Sequence, residues 1–221
     1  MYTKRILFIS SIIMMGAISC KKTNSSTTPG VTYKVQTSNK SYSVNTRTTG
    51  LNETGTLTWT SGYANVTEIK FDAENNSAHV EYKSETPQKI DLFSTSTLGN
   101  ISIPSGTYTT AEFDIELAGN ASVDAVQLNG NYAGTPVILK ITGPYEFDAE
   151  MQNVTIGTNG NYSALTTLDL SKLTNGLSAS DFANATKDAS GTIVISANSN
   201  TSIYSAMVSN FHKLADHEDF E

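Results

Sequence analysis

Groups able to do acid–base, nucleophilic or metal chemistry are sparse in this chain of 221 residues: three histidines, one cysteine and 21 carboxylates, set against 14 basic side chains. A hydrolytic nucleophile needs a base and an orienting group within hydrogen-bond reach. His79, His212 and His217 are the whole supply of imidazole. His79 falls opposite the apolar positions of its segment, where a solvated strand histidine is expected. No G-x-S-x-G elbow and no phosphate-cradling G-x-x-x-x-G-K occurs. Residues 212–221 (HKLADHEDFE) gather two histidines and four carboxylates, ligand types that divalent ions favour. Carboxylates at a helix C-terminus oppose its dipole, so this stretch reads as a solvated, fraying helix end and no metal is expected. Paired carboxylates run glycoside hydrolysis when they flank a cleft. Glu112, Asp114 and Glu116, with Glu146, Asp148 and Glu150, offer the types, but strict alternation is what a solvated sheet face shows. No catalytic residue, cofactor or metal ligand is assigned, and the chain is not expected to be an enzyme.

Aromatic side chains give a second kind of site. Sandwich modules grip sugars by stacking them on exposed rings, with polar groups fixing orientation. Trp59, Tyr63, Tyr132 and Tyr162 are the candidates, the last two in Gly/Asn-rich stretches at Asn131-Tyr132 and Asn161-Tyr162. The competing expectation puts Trp59 in the core, sharing a face with Leu57, and lets the turn tyrosines cap the sandwich edge.

The lone cysteine, Cys20, stands where a short apolar run stops. Lys4 and Arg5 precede residues 6–18, an apolar stretch interrupted by Ser10 and Ser11, and Gly16, Ala17 and Ser19 lead into the cysteine. A spanning helix needs about 20 apolar residues, so this run reads as an export signal covering residues 1–19. The window Ala17-Ile18-Ser19-Cys20 resembles the lipobox of bacterial lipoproteins, which are cut before the cysteine that then carries the acyl chains. Leucine is more usual where Ala17 stands. An exported cysteine without a partner has no disulfide to make, and lipid attachment gives it a role. Residues 20–30 then form a lipidated cysteine and a polar tether (KKTNSSTTPG after Cys20) with nothing to bury. Losing a leader that carries two basic residues and no acid moves the formal charge from −7 to −9. An acidic surface argues against nucleic acid and against adhesion to anionic lipid through basic patches.

From Val31 onward the pattern is that of strands. Val31, Tyr33 and Val35 alternate with polar residues; Ile69, Phe71 and Ala73 alternate with Glu68, Lys70, Asp72 and Glu74. Tyr108, Ala111, Phe113, Ile115 and Leu117 carry the apolar side of another run. Asn75-Asn76, Gly119-Asn120, Asn129-Gly130 and Asn159-Gly160 read as turns, and Gly143-Pro144 splits two strands. Ser180 or Asp181 caps a short helix through Lys187. Ile203, Tyr204, Met207, Val208, Phe211 and Leu214 fall at helical spacing, giving an amphipathic C-terminal helix capped by Asn200, Thr201 or Ser202. The expected fold is an all-β, antiparallel β-sandwich of about nine to eleven strands over residues 31–221, with a short helix and an amphipathic C-terminal helix packed on it.

Residues 56–117, with Ile90-Asp91-Leu92-Phe93 and then Ile103-Pro104-Ser105-Gly106-Thr107-Tyr108, resemble uncharacterised lipoproteins of Bacteroidota that carry a domain of unknown function. The tail from Leu165 is similar too. The resemblance implies an envelope-anchored β-sandwich and supplies no catalytic assignment. Surface-displayed lipoproteins of that phylum often carry acids just after the cysteine, and residues 21–28 hold none. Both faces of the outer membrane therefore stay open. The expectation is a membrane anchor through lipid on Cys20 and a non-catalytic module for structure or protein interaction, with glycan binding through the loop aromatics as the alternative.

Overall fold

The computed structural model describes residues 29–45, 54–75, 78–120, 122–158 and 160–220. Lys4, Arg5, Cys20 and the tether up to residue 28, together with Asn76 and Asn159 of the expected turns, lie outside the described residues. Strands account for 62% of the described residues and helices for 12%, and the fold is an all-β sandwich with short helices.

One strand organises it. β3 (Thr54–Asn75) runs 22 residues with register shifts between Trp59 and Ser61 and between Val66 and Glu68. Such irregularities bend a strand and raise its local twist, so one strand serves successive neighbours. Along one edge it pairs with β2 (Ser41–Asn45), β5 (Gln88–Asp91) and β4 (Ala78–Ser84). Along the other it pairs with β8 (Val126–Tyr132) and β7 (Gly106–Leu117). β7 continues to β10 (Tyr145–Ile156), and β8 to β9 (Thr135–Ile141) and then β12 (Ile193–Ile195), completing a nine-stranded sheet. The second sheet has four strands in the order β13 (Ala215–Phe220), β11 (Asn161–Asp169), β1 (Gly30–Ser38), β6 (Ser96–Ser102).

The apolar halves of these alternating strands face each other across the sandwich. Tyr33 of β1 stacks on Phe113 of β7 with centroids 4.1 Å apart, and Phe113 in turn meets Phe71 of β3 at 4.6 Å. The Tyr33 hydroxyl is satisfied by Thr166 at 2.8 Å, so the ring stays fully buried without an orphaned polar atom. Burying such side chains stabilises the fold by about 1.5–3 kcal/mol each.

The helices close the open end of the layers. A 3-10 turn (Leu170–Thr174) follows β11, and α1 (Ala179–Ala183) starts where the Asp181 carboxylate accepts from the Ser178 N–H (2.8 Å) and hydroxyl (2.6 Å). α2 (Thr201–Phe211) begins after Asn200 and buries Ile203, Met207 and Phe211, with Leu214 beyond its end. Phe211 meets Tyr145 and Phe147 of β10 at 5.6 and 4.9 Å, so the amphipathic stripe packs on the sandwich.

Five sequence expectations change. Thirteen strands are named among the described residues, more than nine to eleven, because β6 and β8 carry Gly-Asn and Asn-Gly pairs that read as turns and the terminal β13 is too polar to show a period. The sheets are mixed: β1 runs parallel to β11, and β12 parallel to β9. Asn129-Gly130 is inside β8, and the hairpin turn falls at Ala133 (φ 48°) and Gly134 (φ 84°). Gly130 is there for closeness, since a Cβ would run into the Thr58 carbonyl oxygen and lie 2.9 Å from the Trp59 Cα. Finally, residues 212–221 do not continue as a helix end: α2 stops at Phe211 and Ala215–Phe220 pairs antiparallel with β11. Strand pairing gives that backbone the hydrogen bonds a frayed helix end would leave to water. The short helix also ends at Ala183, before Lys187.

Candidate functional site

The four aromatic candidates are not brought together. Trp59 is 2% exposed on the inner face of β3, where its Nε1–H donates to the Tyr42 hydroxyl at 3.3 Å. Tyr132 is 7% exposed; its hydroxyl donates to the Ala179 carbonyl at 3.2 Å and its ring stacks on Phe182 at 4.8 Å, tying β8 to α1. Neither has a face free for a sugar, which corrects their place among the ligand-binding candidates. Leu57 and Trp59 share the buried side of β3. Tyr162 is half-buried at the start of β11, and its hydroxyl accepts the Gly157 N–H at 2.6 Å, so it caps an edge.

Tyr63 alone sits in a depression, of about 390 Å³, bordered by Ser61, Lys89, Asp91 and Asn129 on the outer side of the large sheet. The Lys89 ammonium lies 3.6 Å from its ring centroid, a cation–π contact that occupies that face. The Tyr63 hydroxyl donates to Gln127 Oε1 at 3.4 Å, and burial, with the nearby Asp124 charge, raises its pKa.

The carboxylates form ladders. Glu68, Glu116 and Glu146 lie side by side across β3, β7 and β10, as do Lys70, Asp114 and Asp148, and then Asp72, Glu112 and Glu150. Directly opposed like charges are destabilising. Asp114 shows it: burial first, then Glu112, Asp148 and Glu146, push its pKa up from 3.8 to about 6, against a smaller opposite pull from Lys70. Carboxylate oxygens of Asp114, Glu146 and Asp148 come within 4.8 Å of one another. Lys70 holds Glu68 at 3.1 Å and Glu146 at 3.7 Å, and Lys83 holds Glu68 at 3.0 Å and Glu85 at 2.8 Å. These acids stand on one sheet face and do not oppose each other across a cleft, the geometry glycoside hydrolysis requires.

His79 belongs to the same face. Its Nε2 lies 2.6 Å from Asp72 Oδ2, which raises the imidazole pKa and leaves the ring as one half of an exposed pair. His212 is exposed just past α2. The side chain of His217 lies outside the described residues.

A different feature is a cleft of about 310 Å³ between β2 and the segment from the 3-10 turn to α1. Tyr42 forms its floor. Burial pushes that phenol up to about 12, while the hydrogen bonds from Trp59 and Thr174 pull the other way. No local pattern marks the cleft, because its walls come from stretches some 130 residues apart in the chain. Comparison with protein-family models, with curated proteins and with solved structures finds no match.

Proposed function

We propose that this protein is a lipid-anchored, non-catalytic cell-envelope protein, held in the outer membrane of a Bacteroidota-type envelope, whose β-sandwich serves as a structural or protein-interaction module. The observation that carries the proposal is Cys20: a single cysteine, preceded by Lys4 and Arg5, an apolar run and three small residues, and followed by a polar tether. Acyl carbons contribute about 0.8 kcal/mol per buried methylene, so two or more chains anchor stably where one does not. The sandwich is consistent with a non-catalytic role, since its imidazole at position 79 is engaged by a carboxylate and its acids are spread over an open face. Glycan binding in its loop-aromatic form has little left to stand on, with Trp59 and Tyr132 in the core and the Tyr63 ring covered by Lys89.

Metabolic labelling with an alkyne fatty acid tests the anchor. The wild-type chain should take up label and sediment with outer membranes; Cys20→Ser should take up none and appear in the soluble fraction. Undiminished labelling of Cys20→Ser would sink the proposal.

A further inference from the structure

Among the described residues the cleft beside Tyr42 has no charged side chain on its walls, in a chain that carries 14 basic and 21 acidic ones. One wall is the outer edge of β2, which among the described residues pairs with β3 alone. In an antiparallel pair, residues alternately point their main-chain groups toward and away from the partner. Trp59 N–H donates to Lys40 O at 2.7 Å, and Ala133 N–H donates to Thr56 O at 3.0 Å. Thr56 therefore turns its main chain toward β8, and Ser43, opposite Thr56, turns its own N–H and C=O out of the free edge.

The other wall is held from behind. The Asp169 carboxylate accepts from the Ser171 N–H (2.9 Å) and hydroxyl (2.6 Å). Asp181 fixes Ser178 in the same way, and the Asn210 amide donates to the Leu173 and Asn175 carbonyls at 3.1 and 2.9 Å. Tyr42 is pinned at its hydroxyl by Trp59 and Thr174. The Ser43 hydroxyl and the Asn175 amide make no hydrogen bond among the described residues. A wall fixed by groups behind it, with unspent polar groups in front, loses little freedom when a ligand docks.

The geometry points to a neutral saccharide as the ligand of this cleft. Hydroxyls, amides and a strand edge each donate and accept, matching a ligand that does both at every carbon. Tyr42 and Leu177, both half-buried, offer apolar surface for the C–H faces of a sugar ring. An ionic ligand would lose hydration here with no oppositely charged side chain on the described walls, and the Asp169 and Asp181 carboxylates behind them are spent on Ser171 and Ser178. The cleft sits at the small end of the ~300–1,000 Å³ usual for small-molecule sites, so it suits a chain end of one or two rings. This site is separate from the four aromatic candidates and does not depend on the lipid anchor, so it and the anchor fail or stand independently.

The test uses the full chain extracted in a zwitterionic detergent, so that no alkyl glycoside competes. Cellobiose, maltose and N,N′-diacetylchitobiose are titrated while the emission of Trp59, the only tryptophan, is followed and heats are measured. At least one should give a saturable response in the ~millimolar range or tighter. Glucuronate and glucosamine should bind at least about tenfold more weakly. Ser43→Phe and Asn175→Phe, both at exposed rim positions, should weaken binding by about tenfold or more with unchanged circular dichroism, while Glu150→Gln on the acidic face should not. No saturable response to any neutral saccharide, equal binding of the charged ones, rim variants that bind like wild type, or a tri-serine peptide binding where saccharides do not, would each overturn the assignment.

Discussion

Two polar regions of this molecule are built in opposite ways. On the outer side of β3, β7 and β10, carboxylates stand in cross-strand rows with too few lysines between them, and burial together with those neighbours pushes Asp114 up to about 6. In the cleft between β2 and the 3-10 turn no described side chain is charged, and the carboxylates of Asp169 and Asp181 are spent in fixing the wall. The first region is exposed, repulsive and set by strand alternation. The second is neutral, held in place and assembled from distant segments. Charge density and binding geometry are thus separate properties here, and the acidic face is the poorer guide to where a ligand would sit.

The hardest way to break the contrast is Trp59→Ala. Removing the indole leaves a core cavity and frees Tyr42, with an expected loss of about 3–5 kcal/mol in denaturant melts. Tyr63→Ala, on the outer side of the same strand, should cost far less; equal losses would mean that Trp59 is not the internal support described. Gly130→Ala comes next. Its Cβ meets the backbone of Thr58 and Trp59, which has little room to retreat, so a loss of about 1–3 kcal/mol is expected in the same measurement. If Gly130 merely served a turn, the change would be close to neutral.

Tyr132→Phe keeps the stack on Phe182 and removes the bond to the Ala179 carbonyl, for an expected loss of about 1 kcal/mol. Asp114→Asn should act in the opposite direction. The folded chain holds the Asp114 proton more tightly than the unfolded one, so between pH 3.8 and about 6 the folded state binds more protons. The favourable contribution is complete below the lower value and lost as pH rises through the upper one. Melting temperatures of the variant and wild type should therefore agree near the lower end and separate in favour of the variant toward neutrality, by less than about 1 kcal/mol given solvent screening. Added salt should narrow the gap. Smallest of all is His79→Ala, whose exposed pair with Asp72 should leave the melting temperature unchanged at pH 7.

Much of the fold could be read in advance wherever one face of a strand is buried. Leu57 with Trp59, or Ile69 with Phe71 and Ala73, show a period of two because every second side chain enters the core. The stripe through Ile203, Met207 and Phe211 was legible for the same reason at helical spacing. Reading failed where a residue answers to a neighbour distant in sequence. Gly130 has turn chemistry but is needed against β3; Ala215–Phe220 is rich in polar groups but completes the edge of β11. The candidate site was hidden more thoroughly. Trp59 and Tyr132 have the residue types of a sugar platform, and burial decides their role; the Ser43 edge belongs to one sheet, and the Ser171–Ser178 wall follows a strand of the other.

The parallel pairing of β1 with β11 sets a timetable for assembly. Gly30 sits opposite Asn161, so the first of the described strands waits for one of the last before its second edge is filled. Non-local pairings of this kind slow folding, because a long loop must close before any contact rewards it. For a chain threaded outward as proposed, that delay is useful: the segment already across remains extensible, and the sandwich can lock only when its C-terminal third has also emerged.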